Sequence, residues 1–507
     1  MDFDLLTWIL LSLVCLLLGY SFLPKPNRLN LPPTPLFCLP FIGHLHLLKH
    51  PVHRTFQNLS QKYGRVFSLK FGSRLVVIVS SPSAVQECFT KNDIILANRP
   101  YLETGKYLAY NNTTLVVSPY GEHWRNLRRI STLEIFSTTR LNSFSRIREH
   151  EVKRLLRKLC GNNHGLEDEF RVVELEPMLL DLTFNIVMRM VGGNKFCEEN
   201  NNVLEDEGYS NKFREMITQM MKYGVSTNPG DFIPLWGRID PTDFNKKLDK
   251  LGRRADELLQ ELVDEIRNQE DDGNTMIHHL LRLQNTDPEY YSDQVIKGLV
   301  QVVFLAGVDT AAVTLEWALS ELLNNPEVLK KARDEIDSVI GQEGLVNEAD
   351  LSSLNYLQGI ITETLRLNPA APLLVPHCAS EDCKIGGYDV PRDTIVLINA
   401  WAIHRDLSLW EDAASFKPER YENAVGVDSC KLIPFGLGRR ACPGMGMAQR
   451  VLALTLASLI QCFEWQRLSN SLVDMTEGEG LTMPKAQPLI AKCRPRPIMK
   501  EMLSMKQ

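Results

Sequence analysis

Residues 299–315, inside the longer run 293–323 (DQVIKGLVQVVFLAGVDTAAVTLEWALSELL), have helical composition with apolar side chains on nearly every face. A helix patterned this way has to be covered on all sides, and its ends are too polar for a membrane span. The rest of the chain must therefore wrap around it. Amphipathic stretches near 122–136, 140–160, 174–191, 204–223, 243–269, 326–340 and 354–367, and an apolar run from about 445 to 462, supply wrapping helices. Strand composition is confined to VFSLKF-GS-RLVVIVS at 66–80, a hairpin signal around Gly72-Ser73, and to IVLINAWAI at 395–403. The expectation is a mainly α fold with a small β portion.

With 507 residues, 44% of them hydrophobic, the chain can bury a large core. Its net charge of −6 is spread without long single-sign runs, which gives no electrostatic case for nucleic-acid binding. Eleven cysteines without a CxxC pair argue against a disulfide framework and a structural zinc site. Cys15, Cys88, Cys160 and Cys462 read as small core hydrophobes.

Residues 5–23, LLTWILLSLVCLLLGYSFL, carry no charge over a length that matches a bilayer. Asp2 and Asp4 precede the run and Lys25, Arg28 and Lys49 follow it, so the bulk of the chain is expected in the cytosol. A cleaved signal peptide fits less well, because a basic n-region and a small-residue cleavage site are missing. The next segment, LPPTPLFCLPFIG, favours an extended, stiff hinge. The expected organisation is an anchor at 1–24, a proline-rich hinge at 25–45 and one cytosolic domain at 46–507. The sequons at Asn58, Asn111 and Asn112 read as chance matches.

The segment 434–446, PFGLGRRACPGMG, sets four glycines and two prolines around Cys442, just before a helical run. Glycines let backbone pass close to a large flat ligand, and a helix N-terminus favours thiolate over thiol. Cys442 is thus placed to be a ligand or a nucleophile, though no local His or Asn signature marks a base. In AGVDT, the acid Asp309 and the alcohol Thr310 lie inside the core helix. On the residues alone they suit satisfied core polar groups, with Thr310 bonding back to the Ala306 carbonyl, as well as catalysis.

The spacing Phe435, Gly438, Arg440, Cys442, Gly444 resembles the haem-binding signature of the cytochromes P-450, the haem-thiolate monooxygenases, in a plant microsomal form. The resemblance covers essentially the whole chain. It implies the family's fold, with haem b (iron protoporphyrin IX) between the central helix and the cysteine loop, plus one N-terminal transmembrane helix. It also implies that the thiolate of Cys442 is the axial ligand of the iron, that Asp309 and Thr310 relay protons for dioxygen activation, and that Gly307 leaves the helix face open above the iron. Glu363, Arg366 and Arg420, in ITETLRL and PERY, resemble the family's buried ion triad, with Tyr421 where Phe is usual. Trp124 and Arg128 in WRNLRR, His377 in LLVPHC, and Arg440 are implied to meet the haem propionates.

The same resemblance implies substrate contacts from Val302, Val303, Ala306, Ala370, Leu373, Leu374, Val375 and Leu481, with stretches at 101–118 and 205–230. These are mostly apolar, so the expected substrate is a small hydrophobic molecule such as a flavonoid, isoflavonoid, lignan or terpenoid. No dinucleotide or flavin fingerprint is present, so electrons are expected from an NADPH-dependent cytochrome reductase in the same endoplasmic-reticulum membrane. It would dock near Arg125, Arg129, Lys431 and Arg439. Two alternatives stand beside this one: a haem-thiolate isomerase or dehydratase that needs no dioxygen, and a non-catalytic haem-binding protein.

Overall fold

The computed structural model describes Trp8, Ser12 and residues 29–499, apart from 162–168, 194–195, 197–205, 226–227, 234–235, 237–239, 241, 270–272, 342–343 and 423–427. The expected span at 5–23, save Trp8 and Ser12, lies outside the described residues, as do Lys25 and Arg28. Helices dominate: α1 (Val52–Tyr63), α2 (Glu122–Ile130), α3 (Ser145–Cys160), α4 (Glu176–Gly192), α5 (Asp206–Val225), α6 (Phe244–Arg267), α7 (Asp293–Gly307), α8 (Asp309–Asn324), α9 (Pro326–Ile340), α10 (Asn355–Leu367) and α11 (Met445–Cys462). Shorter helical turns join them.

Three small sheets complete the fold. The first has the order β1-β2-β7-β4, from β1 (Val66–Phe71), β2 (Arg74–Val79), β4 (His377–Cys378) and β7 (Ile395–Ile398). Its hairpin pairs Val66 with Val79 around Gly72-Ser73. Gly72 has φ 55°, and a Cβ there would lie 2.1 Å from the carbonyl oxygen of Phe232, so only glycine fits. The second sheet runs β3 (Arg171–Glu174), β9 (Ile490–Pro495), β8 (Phe463–Arg467), and the third pairs β5 (Cys383–Ile385) with β6 (Tyr388–Val390).

The core helix is where the sequence puts it. Ala311 to Leu323 of α8 are buried without interruption, Trp317 completely. It is not one continuous helix, however, because the backbone breaks at Val308 between α7 and α8. The segment Asp293–Asn324 and α11 are both long and apolar enough to cross a membrane, but 67% and 72% of their most apolar windows are buried inside the protein. They are core helices.

Other boundaries differ for local reasons. The run at 395–403 is a strand only to Ile398, because the Asn399 side chain accepts from Ala402 N and starts the helix Ala400–His404. The stretch 122–136 is α-helical to Ile130 and then widens to a π turn at Ser131–Ile135, and 140–160 divides at Phe144.

Candidate active site

Cys442 lies between the turn Gly438–Arg440 and the N-terminus of α11. Gly436 and Gly438 have φ of 69° and 67°, and a Cβ on Gly438 would meet Asp93 Oδ1 at 2.4 Å. Phe435 closes the loop through its backbone, its carbonyl accepting from Cys442 N at 2.9 Å. The amides of Gly444 and Met445 donate to the sulfur, and the Arg128 charge acts on it. The Cys442 side chain is exposed, yet desolvation is the largest influence on its thiol. Both hold together if the sulfur lines a recess enclosed by protein. Burial keeps the thiol above its ordinary range against the pull of Gly444, Arg128 and Met445. The helix N-terminus therefore does not by itself produce the thiolate; a cation has to displace the proton. Cys88, Cys160 and Cys462 are buried, as core hydrophobes should be.

Beside this loop three guanidiniums converge. Arg440 donates to the carbonyls of Ala97 (2.7 Å), Leu115 (3.2 Å) and Ser118 (2.6 Å), and stacks 4.2 Å over the Trp124 ring. Arg128 donates to Ala441 O at 2.6 Å. Arg99, which no sequence pattern singles out, donates to the carbonyls of Val116, Val375 and Pro376. Burial pushes Arg99 down to about 10 and Arg440 to about 9, with Arg99 and Arg128 repelling Arg440. Among the described residues no carboxylate pairs with any of the three. His377 is buried beside them, its Nδ1 2.7 Å from Leu96 O, and burial with the charges of Arg99 and Arg440 holds it down at about 3. It is a neutral imidazole there. The Trp124 indole N–H donates to Leu115 O at 3.1 Å, and its ring supports Arg440.

Another wall of the recess comes from the break in the core helix. Thr310 Oγ1 donates to Ala306 O at 2.7 Å, the back-bond that a mid-helix threonine commonly makes. Ala306, just before the break in the core helix, is exposed, with Val302, one turn earlier, half-buried, so the face 302, 306, 310 is left uncovered. Val303 turns off this face and is buried in the main core. Gly307 also turns away, since a Cβ on it would meet Val187 of α4 at 3.3 Å; the open position is Ala306. Asp309 is desolvated, which raises its carboxyl above the usual range, and its Oδ2 accepts from Thr482 Oγ1 at 2.5 Å, which opposes the rise.

The segment 370–376 closes the recess. Ala370, Leu373 and Leu374 are half-buried and Val375 is exposed. Leu374 has φ 53°, a conformation that bulky residues rarely adopt, and its Cδ1 lies 4.0 Å from where a Cβ on Gly436 would be. Ala370 O accepts from Met483 N at 3.0 Å, tying this segment to the turn that carries Leu481 and Thr482. Leu481 is 54% exposed at the tip of that turn, near Gly224 of α5.

Glu363, Arg366 and Arg420 form one buried network. Arg366 Nε and Nη2 each donate to a different Glu363 oxygen at 2.7 Å, and Arg420 Nε donates at 3.1 Å. Tyr421 adds its hydroxyl at 3.0 Å, so the tyrosine in place of phenylalanine strengthens the cluster. Arg439 is not a free surface cation: it pairs with Asp93 at 2.8 Å and stacks on Tyr120.

Three half-buried guanidiniums with no carboxylate partner among the described residues call for anions, and a desolvated thiol calls for a cation. Iron protoporphyrin IX brings both, so these residues fit a haem whose iron takes the Cys442 sulfur, and the fold and site together define a haem-thiolate monooxygenase. The chain belongs to the cytochrome P450 family, whose sequence profile matches residues 32–491. It is similar to cytochrome P450 81Q32 of Catharanthus roseus (51% identical over 505 residues, 99% of each chain). It is 54% identical over 471 residues to isoflavone 3'-hydroxylase of Medicago truncatula, covering 92% of this chain and 93% of that one. With isoflavone 2'-hydroxylase of Glycyrrhiza echinata it shares 52% over 469 residues, again 92% and 93%. Among solved structures, a zebrafish cytochrome P450 with progesterone superposes with a TM-score of 0.74 at 24% identity, over 89% of this chain and 100% of that one, which shows the fold.

Proposed function

We propose that this chain hydroxylates a hydrophobic plant phenolic of the isoflavonoid or flavonoid class, as a single-pass protein of the endoplasmic-reticulum membrane supplied with electrons by an NADPH-dependent cytochrome reductase. The observation that carries the substrate class is the opened face of the core helix, where Val302 and Ala306 offer apolar surface and Thr310 one hydroxyl. Leu373 and Leu374 add to it, and isoflavone hydroxylases stand among the relatives.

Bound here, haem supplies dioxygen activation and the transfer of one oxygen atom into a C–H bond. Cys442 holds the iron, with the Gly444 and Met445 amides stabilising negative charge on the sulfur. Arg99, Arg128 and Arg440 hold the two propionates, and the negative charge they receive lets His377 take up a proton and donate as well. Thr310 fixes a water at the helix break, and Asp309 supplies the proton that moves through it. The hydrophobic walls orient the substrate and exclude bulk water.

The anchor at 1–24 and the hinge at 25–45 join the catalytic domain to the membrane. In support, Pro33 O and Pro32 O accept from Ser68 N and Oγ at 2.8 and 2.9 Å, which docks the hinge on β1, while Leu36, Phe37 and Phe41 are exposed beside it. Arg125 and Arg129, exposed on α2, are the cations offered to the reductase.

The test is turnover of isoflavones by the purified protein with reductase and NADPH. A substrate-induced shift of the haem band together with a hydroxylated product supports the reading. No shift and no product across a panel of isoflavones and flavones removes the substrate class.

A further inference from the structure

The turn 474–486 is held unusually firmly. Gly478 N donates to Pro484 O and Ala486 N to Thr476 O, each at 2.8 Å. The buried Glu477 carboxylate accepts from His53 Nε2 (2.8 Å), Arg54 Nε (2.7 Å) and Trp401 Nε1 (3.0 Å). Trp317 of α8 donates from its indole to Met483 O at 2.7 Å, and Met483 N donates to Ala370 O at 3.0 Å. Four elements distant in sequence thus fix the turn against α8. At its tip, the buried Thr482 aims its hydroxyl at Asp309 Oδ2, 2.5 Å away. Among the described residues, Thr482 is the side chain that hydrogen-bonds Asp309, whose carboxyl is mostly removed from water and lies in the field of Glu176 of α4 and Glu316 of α8.

We propose that Thr482 is the positioning residue for the proton source of the reaction: its hydroxyl holds the Asp309 carboxylate toward the 474–486 turn and stabilises the charge left when Asp309 releases its proton. The inference rests on Asp309 being that source. In each cycle the Asp309 carboxylic acid gives its proton to the water held at Thr310, becomes a carboxylate that accepts from Thr482, and is reloaded by a proton from bulk water; no electrons change place. A rigid turn suits this part, because a donor that followed its acceptor would not set the acidity of the group. Neutral Thr–carboxylate hydrogen bonds favour the charged form.

Thr482→Val keeps the volume and removes the donor, Thr482→Ala removes it with less bulk, and Thr482→Ser restores it. The readout is the protonated-carboxyl infrared band of the ferric resting enzyme, assigned to Asp309 by its loss in Asp309→Asn, with the pH dependence of NADPH-to-product coupling beside it. In Thr482→Val or Thr482→Ala the band's titration midpoint should rise by about one pH unit, the pH at which coupling falls should rise with it, and Thr482→Ser should return both. A midpoint unchanged from wild type in the Val and Ala variants overturns the inference while leaving Asp309 as proton source. Unchanged coupling and pH profile in Asp309→Asn overturn that parent reading, and this inference with it.

Discussion

Arg366 grips Glu363 through both carboxylate oxygens, and neither side chain is exposed to solvent. The rest of the guanidinium donates to the carbonyls of His404, Ala413 and Ser415, and Arg420, Tyr421 and the Lys417 N–H donate to the same carboxylate. A buried ion pair satisfied this completely holds segments far apart in sequence in one arrangement.

Removing one partner strands the other. Glu363→Ala should cost about 3–5 kcal/mol and yield little folded haem protein, whereas Tyr421→Phe loses one hydrogen bond to a charged group, about 2 kcal/mol, and should still fold. Denaturant midpoints and the yield of haem-loaded protein check the order. Equal stability of Tyr421→Phe and wild type would show that its hydroxyl contributes nothing.

Arg99→Met should weaken haem retention roughly tenfold or more, as expected for one charge-assisted hydrogen bond to a propionate. Transfer of haem to excess apomyoglobin measures it. An unchanged transfer rate would place Arg99 outside the propionate site.

Cys442→Ser should abolish the thiolate-type carbon monoxide difference spectrum. Thr310→Ala should retain it, because the hydrogen bonds of Thr310 run along the core helix to Ala306 and Thr314, while a larger share of NADPH electrons appears as hydrogen peroxide. Product and peroxide measured against NADPH consumed decide this; unchanged coupling removes Thr310 from the relay.

Glu316 is buried in α8 and accepts from Leu489 N at 2.7 Å, with desolvation raising its carboxyl to about 7. A carboxyl raised on folding stabilises the protein below its unfolded value and loses that contribution as pH rises through the folded one. Stability should therefore decline between about pH 4.5 and 7 through this group, by up to about 3 kcal/mol. Glu316→Gln, which keeps the acceptor, should flatten the decline. Melting temperatures at pH 5 and pH 8 test it, and identical pH slopes in variant and wild type would exclude Glu316 as the cause.

Local chemistry carried far in this chain. The run 299–315 called for burial and has it along α7 and α8 except on the face of Val302, Ala306 and Thr310, because a helix apolar nearly all round is stable only where it is covered. The glycines around Cys442 and the three-residue spacing of Glu363 and Arg366 were legible for the same reason: backbone freedom and helical period are properties of neighbouring residues. What local spacing did not carry was decided by neighbours in space: Gly307 faces Val187, and Trp124 gives its N–H to Leu115.

The sequence determined the class of chemistry through its resemblance to the cytochromes P-450; taken alone, the local arrangements left Cys442 as ligand or nucleophile and Asp309 and Thr310 as core polar groups or catalysts. Only the tertiary structure decided which charges meet. Arg99 joins Arg128 and Arg440, and Thr482 reaches Asp309 across 173 residues of chain. Such contacts arise when packing brings distant segments together, and their energy depends on distance and burial, neither of which a linear pattern contains.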